Sequence, residues 1–142
     1  MKKQILLFTL FSAFTFAQQQ ATGYVFEDTN KNGLKDRKEK GIANVSVSNG
    51  VDVVKTDETG KYALPVENDN IIFVIKPANY ATPKSNTQLP QFYYIHKPEG
   101  SPKDLKYAGV KPTGKLPNEI NFPLYAQKEN TQFKVLVFGD PQ

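Results

Sequence analysis

The chain contains no cysteine and no tryptophan, and it has one histidine and one arginine. Without cysteine there is no disulfide scaffold, no thiol nucleophile and no zinc–thiolate site. There is no Ser-His-Asp grouping, no glycine-rich phosphate loop and no second histidine beside His96. The lone arginine and the lack of a dense basic face argue against nucleic acid as a partner. The formal charge of +4 overstates basicity: without Lys2 and Lys3 the chain has 16 basic and 14 acidic residues.

Long hydrophobic runs are also scarce. Ile5 to Phe16 is apolar but shorter than the roughly 20 residues that span a bilayer. Preceded by Lys2 and Lys3 and followed by Thr15-Phe16-Ala17, it reads as a signal peptide over residues 1–17, with a mature start near Gln18. The expected product is exported, periplasmic or extracellular, with no membrane span after cleavage. The remaining residues suit about one domain.

The most informative stretch is Asp28 to Glu39. Oxygen-bearing side chains stand at its first, third, fifth, ninth and twelfth positions, and Gly33 is sixth, where a calcium loop turns sharply. Ca²⁺ takes six to eight hard oxygen ligands at roughly 2.3–2.6 Å. Asp28, Asn30 and Asn32 offer side-chain oxygens and Leu34 a backbone carbonyl. Asp36 would bind directly or through water, and Glu39 would close the shell with both carboxylate oxygens. A metal-free polar turn, in which Asp and Asn bond their own backbone, fits the same residues. Lys31, Lys35, Arg37, Lys38 and Lys40 crowd the loop and would oppose a cation. A structural role for Ca²⁺ is expected rather than a signalling one.

The flanks are not those of an EF-hand. Gly23 to Glu27 alternates and is β-prone, and no long helix can follow Lys40-Gly41-Ile42. Further strands are expected at Asn44–Ser48, Val51–Thr56, Lys61–Leu64, Ile71–Ile75, Gln91–Ile95 and Glu119–Tyr125. Asn49-Gly50, Asp57–Gly60 and Asn68–Asn70 provide turns. Pro123 suggests that the last strand lies at an edge. Short, evenly spaced strands without helical periodicity predict an all-β sandwich over residues 21–126. His96 reads as a packing or surface residue. Phe92, Tyr93 and Tyr94 read as inward and outward rings of a strand, with a sugar platform as the alternative.

Gly23-Tyr-Val-Phe26, the Asp28–Glu39 loop, Gly41–Val45 and Thr56–Tyr62 resemble two related families. One is the prealbumin-like B repeat of Gram-positive surface adhesins, whose loop binds calcium. The other is the N-terminal domain of secreted calcineurin-like phosphoesterases, which the Val47–Val51 hairpin and the His96-Lys97-Pro98 loop resemble more closely. The first implies a calcium-stabilised surface, adhesion or carbohydrate-contacting module. The second implies an Ig-like or prealbumin-like sandwich with an EF-hand-like calcium loop, followed by an α/β metallophosphoesterase domain.

Residues 127–132 read as a linker. The apolar run Phe133 to Phe138, ending in Gly139-Asp140-Pro141-Gln142, reads as the first strand of that α/β domain, which delivers a carboxylate to its C-terminal edge. Under the phosphoesterase resemblance Asp140 is a ligand of a divalent metal pair, and Gln142 stands where the family motif usually has His. The other ligands of such a pair are missing from the sequence. The chain is therefore expected to stop as the catalytic domain begins, to be non-catalytic alone, and to have its own downstream catalytic domain as partner.

Overall fold

A computed structural model describes residues 19–137 and Gly139. Residues 1–18, which include the expected signal peptide at 1–17, and Phe138, Asp140, Pro141 and Gln142 lie outside the described residues. The strands are β1 Gln20–Glu27, β2 Ser46–Ser48, β3 Val53–Lys55, β4 Lys61–Pro65, β5 Asn70–Ile75, β6 Tyr80–Ala81, β7 Tyr93–His96 and β8 Phe122–Ala126. They form two four-stranded sheets, ordered β4-β1-β8-β6 and β3-β2-β5-β7. There is no helix among the described residues, so the architecture is all-β, a sandwich of two sheets.

Alternation places one face of each sheet inside. Ala21 and Val25 of β1, Tyr62 and Leu64 of β4, and Phe122 and Leu124 of β8 meet Val47, Ile72 and Val74 of the other sheet, with Val45, Val66 and Ile120 completing the core. The Tyr62 and Phe122 rings stack 6.0 Å apart, and the Tyr62 hydroxyl donates to the Ile120 carbonyl at 2.7 Å. Burial alone holds the Tyr62 phenol well above its ordinary range. The core is thus closed by residues between Gln20 and Ala126.

Several strand limits differ from the expected ones for local reasons. The Asn49-Gly50 connection spans four residues, because Asn49 Oδ1 accepts from the amides of both Val51 and Asp52. The return strand therefore starts at Val53. Asn44 has φ 62°, which delays β2 to Ser46. The expected edge position of Pro123 is corrected. β8 lies between β1, to which it pairs in parallel, and β6, which reaches only Tyr125 and Ala126. At Pro123 the β6 side has no ladder, so a residue without an N–H is tolerated there.

The expectation of a first strand at residues 133–138 stays an expectation, because the α/β sheet it would pair in is not among the described residues. Phe133 to Val137 forms no strand, and Phe133, Leu136 and Val137 are more than three-quarters exposed. A β ladder needs a partner, and none of the described strands pairs with this run. Tyr93 and Tyr94 divide by alternation, Tyr93 exposed and Tyr94 packed against the core, while Phe92 precedes the strand and is exposed beside Tyr93, meeting it edge to face at 5.4 Å. His96 is inward and 1% exposed, and neither ring nitrogen has a hydrogen-bond partner among the described residues.

Candidate metal site in the first loop

The Asp28–Glu39 loop is held at its base by strand-like bonds. The Glu27 amide donates to the Lys40 carbonyl at 2.9 Å and the Ile42 amide to the Val25 carbonyl at 2.8 Å. The Asp28 amide donates to the Leu124 carbonyl. These bonds bring the first and twelfth loop residues together. Gly41 makes the neck possible, because a Cβ there would stand 1.7 Å from the Thr59 carbonyl oxygen. Gly60, at φ +80°, is the next residue on that side, where a Cβ would stand 2.6 Å from the Gly41 Cα, and its carbonyl accepts the Val25 amide.

Asp28 and Glu39 are buried, at 2% and 7% exposure, and neither makes an ion pair among the described residues. Burying a charge costs several kcal/mol unless it is compensated. Backbone amides supply part of that compensation. Asp28 accepts from Gly33 N at 2.8 Å and Asn32 N at 3.3 Å. Glu39 Oε1 accepts from Thr29 N at 2.9 Å and Glu39 Oε2 from Asp36 N at 3.0 Å. Asn30 Oδ1 accepts from Asn32 N, and Asn32 Oδ1 from Leu34 N at 2.7 Å. Gly33 has φ +76° with open space around it, as the sharp sixth-position turn requires.

The crowding cations are partly directed elsewhere. Lys31 Nζ lies 5.3 Å from the centroid of the Tyr125 ring and Lys35 Nζ 5.2 Å from that of Tyr24. Lys35 also donates to the Glu39 carbonyl rather than to its carboxylate. The Tyr125 phenol is pushed up, first by desolvation and then by the Asp28 charge.

The donor set suits a hard cation in kind, since it consists of carboxylates, amide oxygens and carbonyls. Among the described residues no three His, Cys, Asp or Glu side chains form a metal-holding group. The asparagines and a carbonyl would therefore have to complete any shell. Asn30 and Asn32 hold Asp36 Oδ2 between their side-chain nitrogens, at 2.7 and 3.0 Å. A bound cation would displace those donors. Thr29, which bonds Glu39 through both its amide and its hydroxyl, was not singled out in the sequence pattern. The neck contact between Gly41 and Gly60 was not singled out there either. Asp140 and Gln142, the expected catalytic ligands, lie outside the described residues.

An all-β sandwich with an oxygen-rich loop at the end of its first strand defines the class of domain. Residues 29–111 match the family described as the N terminal of calcineurin-like phosphoesterase, and the chain belongs to that family. Part of the chain is also similar to serine-aspartate repeat-containing protein F of Staphylococcus epidermidis, with 43% identity over 72 residues. This alignment covers 45% of this chain and 4% of the relative. Serine-aspartate repeat-containing protein D of Staphylococcus aureus is 51% identical over 45 residues, covering 28% of this chain and 3% of the relative. The chain thus spans a small fraction of these relatives. Among solved structures, the major plantain pollen allergen aligns over 80% of this chain and 98% of its own, at TM-score 0.41 and 18% identity.

Proposed function

We propose that this domain is the exported, non-catalytic N-terminal part of a calcineurin-like phosphoesterase, and that the Asp28–Glu39 loop holds a structural Ca²⁺. The family match over residues 29–111 carries the first part of the reading. The sandwich acts as an accessory unit beside a catalytic domain on the same chain. Asp140, with Gln142 in the position where His is usual, contributes to the first of two metals there. Such a metal pair supplies an activated water and charge stabilisation for phosphate-ester hydrolysis.

The test is hydrolysis of para-nitrophenyl phosphate by the native gene product, compared with residues 19–130 alone. Metal-dependent turnover by the native product and none by the sandwich is expected. A native product lacking further Asp, Asn and His metal-ligand motifs would sink the reading.

The calcium part is supported by two buried carboxylates without a cationic partner among the described residues, surrounded by hard oxygen donors. A cation that binds only the folded state stabilises it by about 2.7 kcal/mol at one hundred times Kd. The melting temperature of residues 19–130 should rise with Ca²⁺, and this rise should vanish in Asp28→Ala. Identical melts with Ca²⁺ and with chelator would reject the site.

A second reading is a calcium-stabilised surface module, favoured by the similarity to the serine-aspartate repeat-containing proteins. It predicts further copies of this unit in the native product in place of a hydrolase.

A further inference from the structure

The outer face of the β3-β2-β5-β7 sheet is apolar where a solvated antiparallel sheet is normally polar. Ile72 and Val74 point into the core, so Ile71, Phe73 and Ile75 of β5 point outward. Tyr94 and His96 of β7 point inward, so Tyr93 and Ile95 point outward. The register sets Phe73 beside Tyr93 and Ile71 beside Ile95. Val53 of β3 extends the Phe73 row across Ser48. Ile71, Ile75, Val53 and Tyr93 are 47–60% exposed. Contiguous exposed apolar surface of this kind marks an interaction site.

The path of the chain identifies the occupant. After β8 the backbone does not leave freely. Gln127 N donates to the Asn79 carbonyl, Glu129 N to Asn79 Oδ1, and Glu129 pairs with Lys76. Lys76 directly follows Ile75, so the departing chain is pinned at one end of the apolar stripe. Phe133 is four residues beyond Glu129, a reach of at most about 14 Å. The run Phe133–Val137 is itself apolar and exposed. Whatever that run belongs to is therefore held beside the bare face at high effective concentration.

We propose that this face is the docking surface for the phosphoesterase domain that follows on the same chain, with Ile71, Phe73, Ile75 and Tyr93 at its centre. The proposal rests on the phosphoesterase reading and adds to it the surface through which the sandwich and the catalytic domain meet. Tethering and apolar burial would then fix the sandwich relative to the catalytic domain. Inter-domain contacts of this type commonly bury roughly 600–1,500 Å².

The chain has no cysteine, so single cysteines placed in it report accessibility cleanly. Ile71→Cys and Ile75→Cys probe the face, and Lys38→Cys, on the exposed loop over the opposite sheet, is the control. Each is labelled with a thiol reagent in the full-length protein and in residues 19–130, and the modified peptides are read by mass spectrometry. The expected result is at least tenfold slower labelling of Ile71→Cys and Ile75→Cys in the full-length protein, with Lys38→Cys unchanged. Equal rates in both forms would overturn docking. So would protection at Lys38→Cys alone, which would place the contact on the other face. Protection in residues 19–130 that grows with concentration would overturn it in favour of a second copy of the sandwich. Para-nitrophenyl phosphate hydrolysis by the same full-length preparation reports on the phosphoesterase reading separately. Active protein with an unprotected face defeats only the docking surface, whereas a native product with no further domain defeats both.

Discussion

The two sheets share one core but treat their outer faces differently. Over the β4-β1-β8-β6 sheet the outward side chains include Tyr24 and Tyr125, and the Asp28–Glu39 loop folds back so that Lys35 and Lys31 lie against those rings. The outward Phe26 is fully buried there, with Gly41 bridging to it. The other sheet has no such cover, and its outward Ile71, Ile75 and Val53 are about half exposed. An insertion of twelve mostly polar residues can therefore finish a face when its neck is bonded into the sheet. A face without one keeps its apolar area for a partner.

The comparison breaks first at the neck. Gly41→Ala places a Cβ against the Thr59 carbonyl, and backbone cannot yield as a flexible side chain can. We expect a loss of about 3 kcal/mol, the upper end of overpacking costs, read as a fall in the urea midpoint. The outer face of the β1 sheet should become accessible at the same time, seen as faster amide exchange at Val25 and Glu27. A wild-type midpoint would mean that the neck is not what holds the loop down.

The next effect comes from the loop itself. Glu39→Ala removes the acceptor of the Thr29 and Asp36 amides and leaves those donors without their charged partner. A loss of about 2–3 kcal/mol is expected even in chelator. Adding Ca²⁺ should widen the gap, because only the wild type responds to the cation. Glu39→Gln keeps an oxygen acceptor and should recover part of the chelator-state stability but little of the calcium response. A calcium response as large in Glu39→Gln as in the wild type would take Glu39 out of the ligand set.

These two regions were not equally legible in the sequence. The loop stood out because oxygens and a glycine stand where a calcium loop uses them, and the structure has Asp28, Asn30, Asn32, Asp36 and Glu39 in one hydrogen-bonded cluster, which a metal-free polar turn would form as well. The all-β class could be read because short strand-like runs recur between turn signals, as where Val45 and Val47 alternate with polar residues. Pairing order could not. The parallel match of Val25 with Phe122 joins residues almost a hundred positions apart, and nothing local encodes it. β6 is only two residues long, too short to show a period. The bare face was hidden for a related reason. In Ile71-Ile-Phe-Val-Ile75 every residue is apolar, so alternation could not separate the inner face from the outer.

Between the two faces, Tyr62 tests the shared layer. Tyr62→Phe removes the bond to the Ile120 carbonyl and should cost about 1 kcal/mol at neutral pH. Its pH dependence follows from the raised phenol. The folded state keeps a proton that the unfolded chain releases above pH 10, the ordinary value. The Tyr62 contribution is therefore complete below pH 10 and declines above it, by up to about 1.4 kcal/mol per pH unit. Urea midpoints between pH 9 and 11 should fall less steeply in Tyr62→Phe than in the wild type. Equal slopes would mean that the phenol is not desolvated.

The smallest effect on the isolated sandwich is expected at the bare face, and that smallness is the point of the comparison. Ile71→Thr and Ile75→Thr keep β-branched side chains suited to a strand and remove apolar area that no described residue covers. In residues 19–130 each should change stability by no more than about 0.5 kcal/mol, as substitutions on free surfaces do. Replacing the half-covered Tyr24 by leucine on the other sheet should cost more, because the Lys35 ammonium loses its ring, a contact worth about 0.5–1 kcal/mol. The order of these effects separates an apolar face that stabilises the sandwich from one reserved for contact. Large losses at Ile71 and Ile75 in the isolated domain would show that the face already supports this fold. Near-neutral values there, alongside a measurable loss at Tyr24, would show that the sandwich maintains this apolar surface without depending on it for its own stability.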